Sequence, residues 1–115
     1  MLRAKLHEEE IRRTIGVPGI GNRIVDGLGP LNAGEDRCLY FISKRATDQV
    51  CESLATRQGC IVIVPRDSGL IGKLGACVVL ETADPRAAIA LVLGFVGTKT
   101  GMTHGSLLVR LLQTP

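Results

Sequence analysis

Apolar and polar positions alternate between two regimes along this chain, and the clearest regime change lies in residues 37–65. Leu39, Tyr40, Phe41 and Ile42 form a first apolar run. A mixed segment follows, in which Val50, Leu54 and Arg57 recur at i, i+4 and i+7 while Asp48, Glu52 and Gln58 fall elsewhere. Ile61, Val62, Ile63 and Val64 then run without a polar interruption between Gly59 and Pro65. Four β-branched residues in a row demand cover on both faces, which is the environment of a strand inside a parallel or mixed sheet. Strand, helix and strand together predict a βαβ unit with a right-handed crossover.

The same reading extends outward. Strands are expected near 23–27, 37–42, 60–64 and 76–81, with helices near 45–57 and 85–96. Asp84 and Pro85 open the last helix, an N-cap acceptor followed by the residue whose missing N–H costs nothing at the first helical position. Ala88, Leu91, Val92 and Phe95 form its predicted core stripe, Ala87, Ala90 and Gly94 a small flank for close packing on the sheet, and Gly97 its left-handed stop. At the N-terminus, Glu8–Arg12 and Glu9–Arg13 are spaced four apart with the acid first, so the first 14 residues read as a short solvated helix. The fold class is thus α/β: a small single domain over residues 1–97, with a mixed or parallel sheet built on βαβ units, and a tail over 98–115. In that tail Leu107, Leu108, Leu111 and Leu112 share one helical face, a stripe suited to the domain's own body or to a protein partner.

Composition narrows the chemistry. The 115 residues suffice for one hydrophobic core, and a formal charge of +3 is modest. Aromatics at 3% provide no series of stacking residues, so a nucleic-acid partner is not expected. The first 13 residues are charged throughout and do not read as a signal peptide. The apolar run 87–96 is well short of the roughly 18 residues that span a bilayer, so the expectation is a cytoplasmic protein that does not cross a membrane. Cys38, Cys51, Cys60 and Cys77 form no Cys-x-x-Cys pair, and His7 and His104 lie near opposite ends, so no metal is expected and the thiols read as reduced core residues.

Two glycine-rich stretches invite a phosphate-loop reading and fail it on residues. Gly16-Val17-Pro18-Gly19-Ile20-Gly21 is followed by Ile24 where a dinucleotide fingerprint needs a third glycine. Gly72-Lys73 is followed by Leu74, which lacks the hydroxyl that would reach magnesium. Both are expected to be connections, the second with at most one helical turn. No nucleophile, histidine and acid occur in a catalytic order, and His104 reads as a tail residue.

From residue 22 to residue 97 the order of features resembles a known module. Leu31-Asn32-Ala33, Leu39-Tyr40-Phe41-Ile42, Gly59-Cys60-Ile61-Val62-Ile63-Val64 and Asp84-Pro85-Arg86-Ala87-Ala88-Ile89-Ala90 carry the likeness. It is similar to the N-terminal uridine-binding domain of UDP-3-O-acylglucosamine N-acyltransferases of lipid A synthesis. More distantly it resembles the UDP-binding N-terminal domain of the Mur ligases. The resemblance implies a Mur-ligase-N-domain-like fold and a UDP-N-acetylglucosamine-type ligand, with no cofactor and no magnesium. It places uridine at Phe41, Lys44 and Thr47. In that family, phenylalanine and tyrosine sandwich the uracil and an asparagine reads its edge. Here Lys44 stands at the asparagine position and Thr47 at the tyrosine position. The family's catalytic hexapeptide β-helix has no counterpart in these residues, so the implied role is substrate recognition without chemistry. The alternative is a stand-alone structural or protein-interaction domain that has lost its nucleotide.

Overall fold

A computed structural model describes residues 2–43 and 47–100. Its five-stranded sheet runs in sequence order: β1 (Leu2–His7), β2 (Ile24–Leu28), β3 (Cys38–Phe41), β4 (Ile61–Pro65) and β5 (Val78–Thr82). The strands β2 to β5 are parallel, and β1 joins β2 antiparallel at the edge. The mixed α/β expectation is met. Ile61 to Val64 lie inside the sheet, between β3 and β5, with 0% exposure, apolar on both faces because both are covered. Burying each such side chain is worth about 1.5–3 kcal/mol, which makes β4 the main apolar anchor of the domain.

Helices α1 (Glu8–Ile15) and α3 (Pro85–Thr100) cover one face, where Leu6, Ile11, Val25, Leu39, Ile61 and Ile63 meet Ile89, Val92, Leu93 and Val96. The opposite face carries Tyr40, Ile42, Val62 and Val64. It is covered by the β2–β3 crossover, by α2 (Asp48–Ala55) and by the 66–77 loop through Leu31, Leu54 and Leu74. The 66–77 loop contains turns and no helix.

Three expectations are corrected. The N-terminal segment is not one solvated helix: Leu2–His7 is a strand, with Leu2 and Leu6 buried and Arg3 and His7 exposed. Helix α1 follows it, with Glu8 and Ile11 inside rather than in solvent. The predicted Glu8–Arg12 pair does form at 2.8 Å, and it is largely buried. It organises the connection after α1, because Arg12 also donates to the Pro18 carbonyl at 2.8 Å and a Cβ at Gly21 would collide with the Glu8 carboxylate. Finally, α3 continues through Gly97 to Thr100, and its core stripe is Ala88, Ile89, Val92, Leu93 and Val96. Leu91 is 54% exposed, and Ala87, Ala90 and Gly94 lie on the solvent side with it instead of against the sheet. The Asp84 cap is as expected, its Oδ1 accepting from the N–H groups of Arg86 at 3.1 Å and Ala87 at 3.3 Å.

Candidate functional site

Both elements that frame the candidate site belong to the face opposite α1 and α3. After β2 the chain makes a 3-10 turn over Leu31–Ala33, closed by Gly34 in the left-handed region. After β3, α2 is capped by Thr47, whose hydroxyl accepts the Val50 N–H at 3.2 Å. The helix turns Val50, Cys51 and Leu54 toward the sheet. Between turn and helix lies a cavity of about 400 Å³ lined by Leu31, Asn32, Gly34, Gln49, Val50, Ser53, Leu54 and Arg57. That volume falls within the roughly 300–1,000 Å³ of small-ligand sites.

The lining sorts by depth. Asn32, Gln49 and Ser53 are exposed, and Leu54 and Arg57 are buried. Arg57 follows the C-terminus of α2, and its guanidinium turns back to donate from Nη2 to the Leu31 carbonyl at 2.6 Å and to Ser53 Oγ at 3.1 Å. Its Cζ stands 4.7 Å from the centre of the Tyr40 ring, a cation–π contact shielded from water. Nη1 is buried without a hydrogen-bond partner. Among the described residues, Arg57 makes no ion pair. An uncompensated guanidinium beside a cavity with no acidic lining makes the pocket electropositive, suited to an anionic ligand.

Tyr40 supports this arrangement from below. Its hydroxyl donates to the Glu35 carbonyl at 2.7 Å and accepts the Glu35 N–H at 3.0 Å, tying the β2–β3 crossover to β3. Burial, followed by the neighbouring Cys38 thiol, pushes its phenol up to about 12. Tyr40 is the chain's one tyrosine, so ultraviolet absorbance follows it alone. Ionisation is expected well above the roughly 10 of an unfolded tyrosine. The folded state holds the proton more tightly, so this contribution to stability is whole below about pH 10 and disappears as pH rises toward 12. Titration of the native chain near pH 10 would sink the assignment.

The residues singled out from sequence do not converge on this cavity. Phe41 ends β3 and packs with the cluster on the α1–α3 face. Thr47 caps α2 on the other face. Lys44 lies outside the described residues, as do His104 and the leucines of the tail. Leu31 and Asn32, which carry part of the family resemblance, do line the cavity. Arg57, Gln49 and Ser53 were not singled out as binding residues. The available signal was a charged residue in register with Val50 and Leu54 on the inward stripe.

Among the described residues, no reacting set accompanies the cavity. Its lining contains neither histidine, cysteine nor carboxylate, and among the described residues no group of three or more His, Cys, Asp or Glu could hold a metal. No described helix is long and apolar enough to cross a membrane. No family model, curated protein or solved structure matches the chain.

Proposed function

We propose that this chain is a non-catalytic recognition module for a uridine diphosphosugar of the UDP-N-acetylglucosamine type, as in lipid A acyltransferase-like proteins, and that the ligand occupies the cavity beside α2. The observation that carries the reading is the buried, uncompensated Arg57 beneath a cavity walled by Leu31 and Asn32, two residues of the resemblance. The Asn32 and Gln49 amides have the donors and acceptors to read a uracil edge. Leu31, Val50 and Leu54 provide apolar surface for the ring, and the field of Arg57 favours the diphosphate. Phe41, Lys44 and Thr47 remain the site implied by the resemblance, and the two placements are experimentally separable.

The test is an amide NMR titration with UDP and UDP-N-acetylglucosamine. Perturbations centred on Asn32, Gln49, Ser53 and Arg57 are expected. Perturbations confined to Phe41 through Thr47 would move the ligand to the family position, and a silent spectrum at millimolar ligand would reject nucleotide recognition. The second reading, a protein-interaction domain, is favoured by the outer side of α3, where Leu91 stands 54% exposed beside Ala87, Ala90 and Gly94. A silent spectrum would shift the weight to it.

A further inference from the structure

Three of the four cysteines occupy one rung of the sheet. The parallel register pairs Leu39 with Ile61 and Ile61 with Val78. Cys38, Cys60 and Cys77 each precede one of these residues, so they stand side by side at the entrances to β3, β4 and β5. All three belong to the cluster on the α2 face. The Val78 N–H donates to the Cys60 carbonyl at 3.0 Å, which fixes the two chains at this rung. Neighbouring strands lie about 4.8 Å apart, within the roughly 4.4–6.8 Å between Cα atoms that a disulfide bridges. Cys77 lies just outside β5, where the backbone is not held by the full ladder, and is partly exposed; Cys60 is buried.

We infer that Cys60 and Cys77 are a reversible dithiol–disulfide pair, oxidised by low-molecular-weight disulfides. In the reduced form the Cys77 thiol donates to the Leu54 carbonyl at 3.3 Å and the Cys60 thiol to the Glu35 and Gln58 carbonyls at 3.6 and 3.8 Å, while burial pushes Cys38 up. Arg23 donates to the Cys60 carbonyl at 3.1 Å and the Ala76 carbonyl at 2.6 Å, and with Arg57 it makes the surroundings electropositive, which favours a thiolate. The accessible Cys77 thiol loses its proton to solvent and the thiolate attacks one sulfur of RS–SR; the RS–SR bond breaks as the Cys77–SR bond forms, and RS⁻ departs and takes up a proton as RSH. Cys60, after losing its own proton to solvent, then attacks the Cys77 sulfur as a thiolate, breaking the Cys77–SR bond and expelling the second RS⁻, which is also protonated. Two protein thiols are oxidised to one disulfide, and RS–SR is reduced to two RSH. Because the Cys77 thiol donates to the Leu54 carbonyl at 3.3 Å in the reduced form, oxidation removes a bond to the end of α2, next to the cavity.

The reduced, native full chain is incubated with oxidised glutathione, alkylated, digested with trypsin and examined by mass spectrometry. The expected product joins peptide 58–66 to peptide 74–86 with the loss of two hydrogens, and dithiothreitol reverses it. With Cys60→Ser, or Cys60→Ala if the serine variant does not fold, Cys77 is expected to retain one glutathione. The pairing is overturned if Cys60 links to Cys38, if the parent keeps glutathione on Cys77 with Cys60 alkylated, or if both thiols are recovered alkylated after prolonged exposure.

Discussion

Arg57→Met is expected to leave the stability of the domain within about 1 kcal/mol of the parent while lowering the response to a uridine diphosphosugar ten- to a hundredfold. The two effects have opposite origins. Loss of the guanidinium removes its bonds to the Leu31 carbonyl and Ser53 and its contact with Tyr40, together worth roughly 2–4 kcal/mol. It also removes a charge that is 7% exposed, has no counter-ion among the described residues and leaves one nitrogen without an acceptor, a desolvation cost of several kcal/mol. Methionine fills the space of the stem, so the contributions nearly cancel. Ligand binding has no such cancellation, because a charge-assisted contact is worth about 1.5–3 kcal/mol. Denaturant unfolding and the NMR titration read the two separately. A stability loss above about 3 kcal/mol would mark Arg57 as a structural strut and remove the main support for the site. Arg57→Lys is a useful companion, since a lysine keeps the charge but cannot reproduce the planar fork that stacks on Tyr40 and reaches the Leu31 turn.

The sheet interior was legible because its physics is local. Ile61 to Val64 can be satisfied only by cover on both faces, and that requirement alone puts β4 between neighbours and helices on either side. The N-terminal strand was hidden by its position. As the antiparallel edge it alternates Leu2, Ala4 and Leu6 against Arg3, Lys5 and His7, and the strong Glu–Arg spacing that follows extended the helical reading backward over it. In α3 the type of element was clear and the face was not. Residues 87–93 are apolar all round, so two overlapping stripes fit the helical period, and the one containing Ile89, Leu93 and Val96 buries more volume than the one containing Leu91.

The candidate site was partly legible for the same reason. The i, i+7 spacing put Arg57 beside Val50 and Leu54, although α2 itself ends at Ala55. That the inward position makes a cavity depends on the β2–β3 crossover lying over the same face as α2. That juxtaposition, 26 residues apart along the chain between Leu31 and Arg57, has no local signature. The rung of thiols is likewise a product of register, which periodicity alone does not give between separate strands.

Gly75→Ala is expected to destabilise the domain by about 2–4 kcal/mol, against about 1 kcal/mol for Gly72→Ala. Both glycines occupy the left-handed region, with φ of 59° and 78°, so both substitutions incur the backbone penalty of a residue with a Cβ. Only Gly75 is also a point of close approach. A Cβ there would overlap the carbonyl oxygen of Ala55 at the end of α2, whereas a Cβ at Gly72 would meet nothing within 4 Å. The obstacle is backbone rather than a flexible side chain, so relief requires moving α2 or the 66–77 loop. Either movement disturbs buried Leu74, the Cys77 bond to Leu54 and the Arg57 end of the cavity together. Denaturant unfolding of the two variants separates the common backbone penalty from the contact, because the shared part cancels in their difference. Equal losses would mean that α2 and the loop can part at little cost, and the cavity wall would then yield to ligand rather than being preformed for it.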